Sequence, residues 1–514
     1  MATIEVYPGS AGMERGLKDI DRRIQEANAL SRSRRSPTSA TEMAEAERAH
    51  LEESRRIADL LIAEDIVSAH LDDQLPSDAC RGARERMWAT GVRAVKDEGW
   101  QPVHVLLPGG TDLRLHTRYL RPSLRGQPGR RRGSGKRGPD GVGCYPVLER
   151  LGIRDGVSPV TRSEIARMVV LCSSLAEAKE QLGRSGLDLH TTTLVRVAVG
   201  IGQNAVELRD HAIEAARTAP LPEVSAVAGK RLRISVDGGR ARTRQTRRGR
   251  GIRPGKNGRR QFTLQWREPR VITIDVLDQD GSTDRSWQPI YEVTLGDADQ
   301  TFALLVGLLR LIGAHLAEQV EFVSDGAEWI WGRVTQALAD AGVPAERIWL
   351  VLDYYHATEH ISEALDRCKG LPANVRQTTF HELRGLLLKP GGPAQVVARL
   401  RALARGRRGR AVNKEAEYLE QHIDHMRYHE LRTAGLLIGS GIVESAVRRI
   451  INMRFKSASM CWRTDHLLPL LYLRAILKAG RWDTFMVAWL NGRHWLEPGV
   501  PAQANRKKSA RKAA

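Results

Sequence analysis

The chain has 514 residues, too many for a single hydrophobic core, and about three domains are expected. Its 80 Lys and Arg exceed its 60 Asp and Glu, and the formal net charge of +20 suits a nucleic acid better than an anionic membrane. No apolar run reaches the length of a bilayer span, and the 5 cysteines, scattered without a CxxC pair, argue against a disulfide scaffold or a cysteine zinc site and fit a reducing cytoplasm.

The opening MATIEVYPGS lacks the pattern of a secretory signal. Residues 1–99 are read as a helical region: 12–75 are rich in Ala, Glu, Arg and Leu and form two helices, broken at SRSRRSPTSAT by Pro37 and its Ser/Thr neighbours. Residues 100–150 hold a β-hairpin turning at PGGTD and then a basic linker, GQPGRRRGSGKRGPDG, too polar to bury. Across 151–228 a helix (VTRSEIARMVVLCSSLAEAKEQL), a turn (GRSGLDL) and a second helix (HTTTLVRVAVGIG) have the order of a helix-turn-helix. Its second helix, opened by His190, Thr191, Thr192 and Thr193 and carrying Arg196, would enter a DNA major groove; an ordinary helical hairpin is the plainer alternative.

Residues 229–356 alternate between types. RLRISVDGG, FTLQWR and REPRVITIDVLDQDG read as strands, a long helix follows, and VEFVSDG and RIWLVLDYYH are strands separated by the helix AEWIWGRVTQALADAG. Strands followed by helices and strands again predict an α/β fold with a central mixed sheet flanked by helices. Residues 357–437 read as wholly helical, 438–500 as final helices with one pattern running from Gly441 through the 470s, and 501–514 as a basic tail.

Asp237 and Asp325 end strands and each precedes a glycine, which is where α/β sheets place functional groups and is also a common turn signal. Glu444, in GSGIVESA, is a lone acid near Arg448 and Arg449, with Ser440 placed to cap its helix. ISVDGGR, FVSDGAEWIW, LDYYHATEH and GLLIGSGIVESAVRRIINMRFKSASMCW together resemble the DDE transposases of bacterial insertion sequences, nearest the ISKra-type group and more distantly the Mutator-like transposases. The resemblance covers roughly residues 150–480.

That resemblance implies a ribonuclease H-like catalytic core interrupted by an all-helical insertion and preceded by mainly helical DNA-binding regions. It implies Asp237, Asp325 and Glu444 as a catalytic triad holding two Mg²⁺ (or Mn²⁺) ions, with Asp237 bridging both. Three carboxylates suit such hard ions, and paired ions suit phosphodiester cleavage and strand transfer. Asp353 and His356 match an Asp-x-x-His signature of these relatives; His356 would contact the scissile phosphate or a metal-bound water and Asp353 would orient it, while His360 is read as structural. The implied partner is double-stranded DNA, both terminal inverted repeats and target, bound by a homodimer or larger assembly without a membrane, in a cytoplasm beside the nucleoid. A Cys-rich segment expected ahead of the helix-turn-helix is reduced to Cys144.

Ten Arg or Lys residues between Arg240 and Arg260, among them Arg242, Arg244, Arg247, Arg248 and Arg250, read as a phosphate-gripping flap. Arg405, Arg407, Arg408 and Arg410 would track DNA backbone, and Arg448, Arg449, Arg454 and Lys456 would offset the crowded carboxylates and hold a phosphate. Trp462 would stack on an unpaired base or pack in the core; Trp329 and Trp331 would pack on the sheet. His422, His425 and His429 have the spacing of a shared helix face, with no acid or thiolate to complete a metal site. Two rival functions remain: a structure-specific nuclease that cuts without joining, and a non-catalytic DNA-binding protein derived from a transposase.

Overall fold

Asp59, 1% exposed, shapes the hairpin at PGGTD by accepting from the amides of Gly109 (2.8 Å) and Thr111 (3.0 Å). Two amides of the tight turn thereby gain a charged acceptor they would otherwise lack. The computed structural model containing it describes residues 3–32, 36–92, 94–122, 143–247, 261–278, 280–368, 370–404, 409–457 and 460–497. These cluster in two units, Met1–Ala198 and Val199–Ala514, a division that falls inside one long helix.

The first unit runs β1 (Thr3–Val6), α1 (Ser10–Arg32), α2 (Ala40–Leu71), α3 (Leu75–Ala89), β2 (Val95–Leu106), β3 (Asp112–Pro122), α4 (Pro146–Arg150), α5 (Pro159–Leu171), α6 (Leu175–Arg184) and the start of α7 (Thr191–Thr218), whose residues from Val199 onward, Arg209 among them, belong to the second unit. Its sheet has the order β1-β3-β2, with β1 parallel to β3 and β2 antiparallel to it. Ile4, Val6, Met13, Ile20, Leu60, Val67, Val105, Leu113 and Leu115 share its core. The span 1–99 is therefore not helical throughout: β1 and the start of β2 lie in it, and β1 is too short to show an alternation. The single helix expected after residue 159 is two, because Ser174 accepts from Glu177 N at 3.1 Å while Glu177 accepts from Ser173 N at 2.8 Å. That pairing starts a new helix at α6.

The second unit continues with β4 (Arg231–Gly238), β5 (Ala241–Thr246), β6 (Phe262–Arg267), β7 (Arg270–Leu277), β8 (Ile290–Thr294), α8 (Ala298–Leu311), β9 (Gln319–Ser324), α9 (Glu328–Asp340) and β10 (Ile348–Leu352). Five of these strands form a sheet in the order β10-β9-β4-β7-β8. β4, β7 and β8 are antiparallel, while β9 pairs parallel with β4 and β10 parallel with β9. The strands are buried on both faces because both are covered. On one, Arg209 of α7 pairs with buried Glu292 of β8 at 2.8 Å; on the other, Gly239 after β4 approaches Ile451 and Val447. A second sheet, in which β5 lies between β6 and a short strand β11 (Trp462–Arg463), places β5 in what sequence alone marks only as an Arg-rich flap.

Helices α10 (Tyr354–Arg367), α11 (Ala373–Leu386), α12 (Gly392–Leu403), α13 (Gly409–Gln421) and α14 (Tyr428–Thr433) follow β10. Their core, with Ile361, Leu365, Leu383, Val396, Leu400, Val412 and Leu419, is continuous with Val351 and Leu352 of β10. The chain then returns through α15 (Gly441–Val447), a π-helical turn at Arg448–Asn452, α16 (Met453–Phe455), β11 (Trp462–Arg463), α17 (Thr464–Lys478) and α18 (Trp482–Leu490). The continuous helix expected from Gly441 through the 470s is thus interrupted. A π turn displaces the ordinary hydrogen-bond ladder, and the Arg449 carbonyl accepts instead from Nε of buried Arg474 at 2.7 Å.

Candidate active site

Because β4, β9 and β10 are neighbouring parallel strands, their carboxyl ends open at one edge of the sheet. Asp237 is the penultimate residue of β4, while Asp325 and Asp353 come directly after β9 and β10. Side-chain and backbone bonds lock these ends together: Ser324 Oγ donates to the Val236 carbonyl at 3.0 Å, and Asp353 N donates to the Ser324 carbonyl at 2.9 Å. Trp331 does more than pack, since its indole N–H donates to the Asp325 carbonyl at 2.7 Å.

Glu444 arrives from the other side of the helical excursion. Asp353, 1% exposed, accepts from His356 N at 2.7 Å with one oxygen and from Ser440 N with the other, and Tyr354 N donates to the Ile438 carbonyl at 2.9 Å. Asp353 is therefore the cap of α10 and the anchor of the segment that enters α15. It holds the His356 backbone rather than orienting its imidazole, the role expected from sequence. Ser440 stands at the N-cap of α15 without making a side-chain cap; its hydroxyl lies 3.5 Å from Glu444 Oε1.

Asp237, Asp325 and Glu444 line one cavity of about 140 Å³ together with Asp353, Tyr355, His356 and Glu359. Burial pushes the Asp237 carboxyl up to about 6 against the lowering effect of the Gly238 amide, and the charges of Asp325, Glu444 and Glu268 raise it further. Among the described residues no group of three or more His, Cys, Asp or Glu is gathered closely enough to hold a metal ion. The acids thus share a space without closing into a cage. Their chemistry nonetheless fits a hard divalent cation: oxygen donors of one sign, a buried Asp237 raised further by its acidic neighbours, and Glu444 exposed on the short helix α15.

His356 leads away from the cavity into a chain of polar contacts. Its Nε2 lies 3.3 Å from His360 Nε2, and His360 Nδ1 lies 2.7 Å from Oε2 of buried Glu415. His360 is stacked on Tyr418, ring centroids 3.7 Å apart. The spacing of His356 and His360 places them one helical turn apart and was visible in sequence; Glu415 on α13 carried no signal. His422, His425 and His429 do not share a helix, because α13 ends at Gln421 and α14 begins at Tyr428. His425 is stacked on Trp331 at 4.1 Å, and His422 Nδ1 donates to the Tyr418 carbonyl, 2.9 Å away.

The basic residues divide between surface and interior. Arg240, Arg244, Arg247, Arg410, Arg448 and Lys456 are exposed, whereas Arg248, Arg250, Arg405, Arg407 and Arg408 lie outside the described residues. Arg449 is turned inward, donating to Tyr291 Oη at 2.7 Å. Arg454 is 3% exposed with its guanidinium 4.8 Å from the ring centre of Trp462, itself 9% exposed and 4.8 Å from Phe455. Arg449 and Arg454, expected on DNA, are held in packing, and Trp462 takes the core role that was the alternative to base stacking. At the start of α7, His190, Thr191, Thr192 and Arg196 are exposed and Thr193 is half-buried. No helix among the described residues is long and apolar enough to cross a membrane.

No family model matches the chain, and no curated protein or solved structure matches it.

Proposed function

We propose that the chain is a DNA transposase of the DDE type, cutting the ends of a mobile element and joining them to target DNA in a cytoplasm beside the nucleoid. One observation carries the reading: Asp237, Asp325 and Glu444, far apart in the chain, line a single cavity at the carboxyl edge of the sheet. The sheet order β10-β9-β4-β7-β8, with three antiparallel strands extended by two parallel ones, supports a ribonuclease H-like core. The helices α5 to α7 would bind terminal inverted repeats, and synapsis of two ends would need a homodimer or larger assembly.

Asp237, Asp325 and Glu444 would hold two Mg²⁺ or Mn²⁺ ions. When bound, such ions activate an oxygen nucleophile and neutralise charge on the attacking and leaving oxygens. Asp353 fixes the approach of α15 and hence the position of Glu444. His356, at the cavity wall, would donate a hydrogen bond to a phosphate oxygen, with His360 and Glu415 setting its ring orientation. Arg448 and the exposed Arg244 of β5 would guide the DNA backbone toward the cavity.

Asp237→Asn, Asp325→Asn and Glu444→Gln are each expected to abolish Mg²⁺-dependent cleavage of an end-bearing duplex while end binding persists. Cleavage at the unmodified rate by any of them would remove that acid from the site. Joining of pre-cut ends separates a transposase from a nuclease that only cuts.

A further inference from the structure

The ribbon formed by β5 and β6 has a face that the proposed chemistry leaves unused. Side chains alternate along a strand, so Phe262, Leu264 and Trp266 fall on one side of β6. All three are exposed, at 46%, 52% and 60%. Across the ladder Arg242 is registered with Trp266 and Arg244 with Leu264. Their guanidinium groups lie 5.5 Å from the Trp266 ring centre and 5.9 Å from that of Phe262. Neither strand, ARTRQT or FTLQWR, contains an acid. β6 is an edge strand, where exposed apolar residues invite aggregation unless they have a use.

The ribbon is fixed at its root. β5 begins just after the strand bearing Asp237, β11 pairs with it, and Arg242 donates to the Ser457 carbonyl at 2.8 Å.

We propose that this face is a stacking platform for the unpaired bases of a DNA strand passing the cavity of Asp237, Asp325 and Glu444. The inference rests on the DNA-processing reading above and adds a preference for opened DNA. Every base has a π-face to lay on Phe262 or Trp266, and Arg242 and Arg244 supply the positive charge its phosphates require. In a paired duplex those faces are hidden, so the platform discriminates between closed and open strands. A second copy of the same face would set Arg242 and Arg244 against their own kind, which disfavours self-association.

The test is fluorescence anisotropy with the full chain, without Mg²⁺, on three probes: a fully paired duplex, the same duplex with an unpaired arm, and oligothymidylate. The double variant Phe262→Ala, Trp266→Ala is expected to bind the armed duplex and oligothymidylate about tenfold more weakly or worse. Its affinity for the paired duplex and the salt dependence of binding should be unchanged. Trp266→Phe should retain binding to the arm, and Trp266→Leu, which keeps apolar area without a comparable π-face, should lose it. That second pair carries the comparison if the double variant fails to fold.

Equal weakening on paired and armed duplexes overturns the proposal, as does unchanged binding to the arm. A change of oligomeric state in sedimentation, or loss of binding to anionic phosphatidylserine vesicles with DNA binding intact, would assign the face to a second copy or to a lipid surface and likewise overturn it. The two readings fail separately. Selective loss of arm binding without triad-dependent cleavage would keep the platform and reject the transposase, and the converse pattern would reject only the platform.

Discussion

Gly326, next to the cavity acid Asp325, has the Tyr418 hydroxyl 1.4 Å from where a Cβ would stand. Only glycine allows α13 to come this close to the end of β9. Gly326→Ala is expected to cost about 1–3 kcal/mol through overpacking, and Tyr418→Phe in the same chain should recover part of it by removing the oxygen. Urea unfolding of the two single variants and the double measures the coupling; additive losses would mean that the two residues do not press on each other. Glu415→Gln addresses the polar chain behind His356. Under the proposed function it should lower the cleavage rate about tenfold, the usual scale for a group that orients another, with little change in thermal stability. An unchanged rate would exclude Glu415 from the chemistry. At this scale sequence is informative where neighbours on one helix cooperate, as with His356 and His360, and silent where a partner comes from 55 residues away, as Glu415 does.

Among the elements, β4 brings charge into the middle of the sheet. Arg233 is registered between Asp275 of β7 and Glu321 of β9, all three at most 3% exposed. Burial pushes the Glu321 carboxyl up to about 8, only partly offset by Arg233, and neither of its oxygens has a hydrogen-bond partner among the described residues. Because the folded-state value is raised, the folded chain keeps a proton that the unfolded chain releases near the ordinary value of 4.5. Stability should therefore fall as pH rises from that value toward about 8, by up to about 1.4 kcal/mol per pH unit from this group. Glu321→Gln should flatten that dependence and be the more stable chain at the alkaline end; parallel curves in denaturant titrations across this range would contradict it. The strands that alternated clearly, such as RLRISVDG and RVITIDVL, were legible from sequence because Leu232, Ile234 and Val236 and, across the ladder, Ile272, Ile274 and Val276 form an apolar row on one face while mostly polar residues occupy the other. β8 was not, being only five residues long, and β5 was hidden by arginines that a ribbon can hold at its surface but that read as loop.

For the whole molecule, the net charge of +20 makes a statement about partners before any fold is known. Under the proposed function, binding to a paired duplex should weaken linearly in log salt, and Arg244→Ala with Arg247→Ala should reduce the slope by about one to two phosphate contacts. A slope identical to that of the unmodified chain would place DNA elsewhere. Composition and periodicity could indicate a mixed α/β chain but could not bring Asp237, Asp325 and Glu444 together. Their meeting depends on strand order and on the return of the chain through α15, which local patterns do not encode; only the resemblance pointed to it. Nor could spacing reveal that Arg449, Arg454 and Trp462 face inward, because an arginine packed on an aromatic ring has the same local sequence as one on a phosphate.

The bonds from Tyr354 to Ile438 and from Asp353 to Ser440 join the entrance and exit of the helical excursion at a single doorway. Whatever length of chain lies beyond it, the threshold stays the same width. Adding residues between α11 and α12 would cost only the slow entropic growth of a longer loop, and Glu444 would stay in place. The excursion can therefore lengthen between α11 and α12 while α10 and α13, which carry His356, His360 and Glu415, keep their places beside the cavity.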